Sequence, residues 1–302
     1  MRARGPRTAA FTATTTKRAM DDAAQLPLPA PGWPSPRGAQ ASDHAVSGGL
    51  QAPVRLLPAE GEVVLVCAPL DVPPDDLARM RATFAPREEA RARRFAEPYR
   101  DRWVAGRGLL RRLLAQATGG EPAALHFGYG AHGKPTLEPR SAPPLQGLPL
   151  TFNVSHSGAL GLYALARGRE VGVDIEQIRA RRSEQVADRF FHRSESARLR
   201  AIHGEEQRRE AFFAVWCCKE AFIKATGAGL SQSMSSFEFV LGDGGPEAVA
   251  WHRDDDAAAA RWSVHRLSPS AGYAAALIAE RREGERQPAL RQLWWPPREP
   301  AR

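Results

Sequence analysis

At 302 residues, 43% apolar and 25% charged, the chain is long enough for one large hydrophobic core or two smaller ones. Its three cysteines, Cys67, Cys217 and Cys218, are odd in number and lack CxxC spacing, so neither a disulfide framework nor a zinc site is expected and a reducing cytoplasm is the expected location. The balance of 42 basic against 34 acidic residues leaves +8, which suits acidic partners of any kind; without a zinc-finger, RNP or helix-turn-helix pattern it does not select nucleic acid among them.

Residues 1–60 are crowded with Pro, Ala, Thr and Gly and show no sustained hydrophobic period, which predicts a disordered extension. The first 20 residues carry Arg and Thr but no acid, a faint likeness to a transit peptide, and no apolar run approaches the roughly 20 residues that span a bilayer. Order is expected from a strand at 62–68, followed by Pro73-Pro74-Asp75-Asp76 as a turn and helix start ahead of Leu77, Met80 and Phe84. Residues 87–117 read as helical, broken at Pro98 and stopped by Gly119-Gly120. Nine arginines stand there against four acids, which fits a solvated helix face and a binding surface equally.

Short strands are expected at 125–128, 150–154, 160–166 and 171–175, divided by Gly, Pro and Ser. Residues 186–191 read as an amphipathic helix, and Ser194 as the N-cap of the next. The strongest helical pattern is 205–226, stopped by Gly227 and Gly229. Strands at 237–241, 248–252, 261–267 and 273–279 come next, and beyond Arg281 the composition turns polar and Pro-rich. Helices and strands do not alternate strictly, so the expected fold is α+β with mixed or antiparallel sheets.

The chemistry concentrates in four places. In Gly172-Val173-Asp174-Ile175-Glu176 the two carboxylates are spaced i, i+2 on a strand and so share a face. Such a pair of hard oxygens suits magnesium, or else marks an edge strand with an acidic solvent face. On the helix through Trp216-Cys217-Cys218-Lys219-Glu220, the residues Trp216, Glu220 and Lys224 lie i, i+4, i+8 along one stripe. That helix is apolar nearly all round, so a buried Glu220 needs a partner or a metal, and it offers the third carboxylate for an octahedral ion on a diphosphate. Phe152-Asn153-Val154-Ser155-His156-Ser157-Gly158 leaves a strand into hydroxyls and a histidine that can donate to phosphate, or simply ends the strand in a turn. Gly130-Ala131-His132-Gly133-Lys134-Pro135 is a rigid loop presenting one lysine.

Together RRFAEPYRDRWVAGRGLLR, GKPTL, FNVSHSG, GVDIE and WCCKEAFIKATGAGL resemble the 4'-phosphopantetheinyl transferases of the surfactin-synthetase-activating type, from about residue 91 to residue 239. GVDIE and WxxKEAxxK carry the specificity of that resemblance, and GKP alone does not. The resemblance implies a monomer of two similar α+β halves related by a pseudo-twofold. The N-terminal half is placed at 61–167, the C-terminal half with the metal site at 168–281, and a polar tail at 282–302. The same resemblance implies that coenzyme A would lie in the cleft between the halves, that Asp174, Glu176 and Glu220 would hold magnesium (Mg2+) on the diphosphate, and that Lys224 and Lys219 would face phosphate oxygens. By the same resemblance Arg94, Arg102, Lys134, Ser155 and His156 would line the adenosine and 3'-phosphate side.

The implied reaction moves 4'-phosphopantetheine from coenzyme A to a serine of an acyl or peptidyl carrier protein and releases 3',5'-ADP, with Glu220 as base and Lys224 offsetting phosphate charge. Neither nucleic acid nor membrane is an expected partner. The long N-terminal extension departs from the usual compact size of that family. Two rival readings are a magnesium nucleotidyl transferase, for which no Walker-type loop is present, and a nucleic-acid-binding protein.

Overall fold

The structure, a computed structural model, describes residues 55–141, 147–179, 183–242, 245–252, 257–285 and 287–295. Most of the expected disordered extension, residues 1–54, lies outside the described residues. Chain order begins with β1 (Glu62–Pro69), whose six central residues are buried on both faces. Prolines with preset φ open α1 (Pro74–Arg81) and α2 (Pro86–Ala92). The long α3 (Tyr99–Thr118) ends on Gly119 in the left-handed conformation at φ 72°. A small hairpin, β2 (Phe127–Tyr129) and β3 (Pro135–Leu137), leads to β4 (Leu150–Ser157), β5 (Leu160–Arg167) and β6 (Val171–Gln177).

Three helices come after β6: α4 (Ser183–Phe190), α5 (Arg193–Ala201) and α6 (Glu205–Thr226). The chain closes with β7 (Phe237–Gly242), β8 (Gly245–His252), the short α7 (Ala258–Arg261), β9 (Trp262–Leu267), β10 (Tyr273–Glu280) and β11 (Ala289–Trp294).

Two sheets organise these elements, one in the order β11-β1-β5-β4 and the other β6-β10-β9. Leu109, Leu110, Leu113 and Leu114 of α3 cover one face of the first against Val64, Val66, Phe152 and Leu165. Phe213, Cys217 and Ala221 of α6 cover one face of the second against Ala274, Ala276 and Ile278. The remaining faces meet each other, Val63, Leu65, Leu162 and Ala164 packing with Val173, Ile175 and Leu277. The result is helix, sheet, sheet, helix: an α+β fold of two halves of like construction.

Three expectations change. The segment read as a polar tail supplies β11, which runs parallel to β1 in the sheet of the N-terminal half. Its edge position leaves the middle of ALRQLW only partly buried, so no clean alternation marks it, and its partner lies more than 200 residues earlier. Ser194 is not an N-cap: His192 holds that position, its N–H donating to the Glu195 carboxylate at 3.0 Å, and the Ser194 hydroxyl donates to Glu238. Finally, β4 does not stop at residue 154 but runs to Ser157, because Ser155, His156 and Ser157 pair with Leu162, Gly161 and Leu160 of β5.

Trp294 at the end of β11 is 1% exposed and belongs to the layer between the sheets. Trp294→Ala is expected to cost about 3–5 kcal/mol in urea denaturation. A loss below about 1 kcal/mol would show that this strand is no part of the core.

Candidate active site

Alternation along β6 sends Val171, Val173 and Ile175 to the layer between the sheets and turns Gly172, Asp174 and Glu176 toward α6. The facing side of α6 carries Cys217, Ala221 and Ala225, small residues at helical spacing. Gly172 completes the fit by steric absence: a Cβ there would lie 2.0 Å from the Ala221 carbonyl oxygen and 2.4 Å from the Ala225 nitrogen. Strand and helix backbones therefore touch, and Lys224, one residue before Ala225, is delivered to Asp174. Its Nζ donates to Asp174 Oδ1 at 2.6 Å, to Ser155 Oγ at 2.9 Å and to the Val173 carbonyl at 3.2 Å.

From the other side β4 runs alongside β6, and its side chains take the place of a backbone ladder. Asn153 Oδ1 accepts the Val173 N–H at 2.9 Å. Ser155 Oγ donates to Asp174 Oδ1 at 2.7 Å. Ser157 Oγ accepts the Gln177 N–H at 3.1 Å and donates to Glu176 Oε2 at 2.7 Å, so its only proton is directed at that carboxylate. Each carboxylate of β6 is thus held by a serine from the opposite half.

Asp174 is 1% exposed, and its Oδ2 is buried with no hydrogen-bond partner. An unsatisfied buried carboxylate oxygen costs about 1–3 kcal/mol or more, a cost that a cation would relieve. Burial pulls the Lys224 ammonium down, but the charges of Asp174, Glu220 and Glu176 outweigh it and hold its pKa above the ordinary lysine value. Lys224 therefore stays a cation throughout the neutral range. The contribution of its pair with Asp174 to stability is fully present below the ordinary lysine pKa and is lost only as pH rises through the raised one. Burial, reinforced by Asp174 and Glu176, pushes the neighbouring Cys217 thiol well up, so it remains protonated, close to the Ala274 carbonyl at 3.4 Å.

The residues singled out in the sequence therefore divide. Asp174, Glu176, Glu220, Lys224 and Ser155 gather at the seam, with Glu220 partly buried and its charge acting on Lys224. Among the described residues no three His, Cys, Asp or Glu side chains are grouped so as to hold a metal ion, and Lys224 is the counter-ion on Asp174 Oδ1. His156 departs from Ser155: as a strand residue it lies, with Phe152 and Val154, on the face of the sheet that carries α3, and it is exposed. One phosphate cannot be expected to meet both through a shared turn. Arg102 makes a bidentate pair with Asp71, at 2.7 and 3.1 Å, and Arg94 is exposed on the segment between α2 and α3.

Two further lysines of the expected phosphate set have their donors taken within the fold. Lys219 is fully buried, and its three donors go to Glu195 Oε2 at 2.7 Å and to the Met234 and Phe237 carbonyls at 2.8 Å each. It lies next to Glu220 in sequence but about 100° round the helix, on the core side. Lys134 likewise directs its donors to Glu170 Oε2 at 2.5 Å, the Ala225 carbonyl at 3.0 Å and the Val171 carbonyl at 3.2 Å. Part of the arginine-rich segment is also structural. Arg111 is buried on Glu88 and on the Pro122 and Leu125 carbonyls, and Arg107 joins Glu88 while stacking on Phe127.

Sequence reasoning missed Glu170 and Glu195, and read Asn153 and Ser157 only as part of a phosphate-facing segment rather than as partners of β6. The period of two that pairs Asp174 with Glu176 also links Asn153, Ser155 and Ser157, so these serines and the asparagine were within reach once β4 was extended.

A profile of the 4'-phosphopantetheinyl transferase superfamily matches residues 170–278, the stretch from β6 through α6 into β10. The chain is 37% identical over 230 residues to the 4'-phosphopantetheinyl transferase HetI of Nostoc sp., covering 76% of this chain and 92% of that protein. It is 34% identical over 173 residues to a 4'-phosphopantetheinyl transferase of Bacillus subtilis, covering 57% and 72%, and 37% identical over 139 residues to AcpT of Escherichia coli, covering 46% and 64%. The chain belongs to the 4'-phosphopantetheinyl transferase superfamily and is a transferase. Among the described residues, no helix is long and apolar enough to cross a membrane.

Lys219→Met would leave the Glu195 charge buried without its counter-ion, a loss of about 3–5 kcal/mol. Denaturant titration should show it, while the fraction that folds keeps its KM for coenzyme A. Unchanged stability with a raised KM would return Lys219 to the phosphates.

Proposed function

We propose that the protein transfers 4'-phosphopantetheine from coenzyme A to a serine of an acyl or peptidyl carrier protein, in the manner of the surfactin-synthetase-activating type. Asp174 and Glu176 would offer the first oxygens to magnesium, with Glu220 drawn in from α6 as the third because the three carboxylates are not already grouped around one point, and the chain works as a monomer. The observation that carries this reading is the buried, unpartnered Asp174 Oδ2 beside a lysine kept cationic by three carboxylates. A carboxylate oxygen, with further carboxylates at hand, is the donor type that magnesium takes. The relatives' names supply the reaction class.

The carrier serine hydroxyl attacks the β-phosphorus of coenzyme A, the one joined to pantetheine. A new serine O–P bond forms, the bond from that phosphorus to the bridging oxygen breaks, and 3',5'-ADP leaves with the electron pair. Glu220 takes the hydroxyl proton, since a neutral serine is a poor nucleophile. Lys224 places its positive charge where phosphate oxygens gather charge, with Asp174 Oδ1 and Ser155 Oγ fixing its Nζ beforehand. Ser157 orients Glu176. Held by these carboxylates, magnesium would supply positive charge against the diphosphate. Arg102, held flat by Asp71, and the exposed His156 stand on the α3 side, where the 3'-phosphate and adenosine are received.

Incubation with coenzyme A, Mg2+ and an apo carrier protein should raise the carrier's mass by one phosphopantetheine, and chelation of the metal should stop this. Glu220→Gln is expected to lower kcat by about 10²–10⁴-fold. Asp174→Asn should abolish transfer while leaving far-UV circular dichroism intact. A carrier of unchanged mass across acyl and peptidyl carriers, with no coenzyme A binding by calorimetry, would overturn the reading.

A further inference from the structure

The loop between β2 and β3 belongs to the N-terminal half, yet its contacts fall on the C-terminal half. Lys134 is 16% exposed on its side chain, and all three of its donors are used: on the Glu170 carboxylate and the Val171 carbonyl at the start of β6, and on the Ala225 carbonyl in the last turn of α6. Ala225 is among the final residues of the helix, whose carbonyls have no N–H four residues ahead to accept, and a cation there also meets the negative end of the helix. A second contact is independent of charge. Gly229, at φ 58°, packs on His132 so closely that a Cβ would lie 2.7 Å from the His132 Cβ, and a Cβ on Gly227 would lie 3.6 Å from Lys134 Cδ.

The hairpin thus grips the end of α6 from two sides, by His132 over the glycine turn and by Lys134 in the groove between α6 and β6. Lys224 precedes Ala225 directly and makes its own bond to the Val173 carbonyl, two residues along β6 from the carbonyl that Lys134 holds. Any drift of the last turn of α6 along β6 would carry Lys224 Nζ away from Asp174 Oδ1.

We infer that Lys134 is a positioning residue, paired with Glu170, that clamps the C-terminal turn of α6 onto β6 and thereby sets Lys224 on Asp174, rather than a ligand of coenzyme A. The catalytic consequence rests on the function proposed above, but the clamp itself does not. Glu170 meets Lys134 at the far end of β6 from Asp174 and Glu176, so a change on Glu170 should reproduce a change on Lys134 without touching the carboxylate cluster.

The test compares Lys134→Met, Glu170→Gln and the double variant with the wild type. Amide hydrogen exchange at residues 223–229 should accelerate roughly tenfold or more in Lys134→Met, since charge-assisted bonds are lost. It should accelerate less in Glu170→Gln, which keeps both carbonyl bonds, and no further in the double variant than in Lys134→Met. Transfer kcat should fall in the same order. Affinities for coenzyme A and dephospho-coenzyme A, measured by calorimetry, should keep their wild-type ratio in all three. The inference is overturned if exchange at 223–229 is unaltered in Lys134→Met, or if that variant weakens coenzyme A alone and Glu170→Gln does nothing. Should Lys134→Met fail to fold, Glu170→Gln decides by itself: faster exchange at 223–229 with an unchanged ligand ratio supports the clamp, and unchanged exchange rejects it. An absence of transfer by the wild type, with the exchange pattern as expected, would remove the proposed function and leave the clamp standing.

Discussion

The contact between α6 and β6 at Gly172 governs the site. A helix normally stands off a sheet by the length of its side chains, but here the Ala221 carbonyl and the Ala225 nitrogen occupy the space of the missing Cβ. The approach brings a charged lysine on the helix within 2.6 Å of a carboxylate on the strand and leaves that carboxylate 1% exposed. Any side chain at position 172 would lever the helix outward and open the pair, so the chemistry depends on an atom that is not there.

The second constraint is the seam between halves. An edge strand presents unpaired N–H groups, and β6 has a sheet neighbour, β10, on one side only. Its N–H groups at Val173 and Gln177 are satisfied by Asn153 and Ser157 of β4 instead of by a strand ladder. Because these partners are side chains, the serines have a proton left for the carboxylates, which a continuous backbone ladder could not have supplied. The discontinuity between the two sheets is thereby what furnishes the carboxylates with oriented donors.

Away from the site both halves bury ion pairs. Glu88 with Arg111 fastens α2 to α3, and Glu195 with Lys219 fastens α5 to α6 and to β7, where the Phe239 N–H donates to Glu195 at 2.9 Å. In each case the remaining donors reach backbone carbonyls, which offsets the desolvation that makes lone buried pairs costly. These pairs explain why a charged residue's place in the chain is a poor guide to its role: Lys219 and Glu220 are neighbours in sequence and lie in different environments.

By itself the amino-acid sequence determined the features that arise from short-range periodicity. The 22-residue α6 with its glycine stop, the common face of Asp174 and Glu176, and the placing of Glu220 and Lys224 on one helical stripe all come from repeats of two and 3.6 residues, which local geometry imposes. The α+β class was legible because helices and strands do not alternate strictly along the chain, and the family because its motifs are contiguous strings. Only the tertiary structure decided which polar groups are already spoken for. Lys134 and Lys219 look like free cations in the chain, and their acceptors, Ala225 and Glu195, lie 91 and 24 residues away in sequence. The same holds for β11, whose partner β1 stands at the opposite end of the described chain. A side chain's donors are satisfied by whatever the fold brings within about 3 Å, and no local pattern encodes that distance.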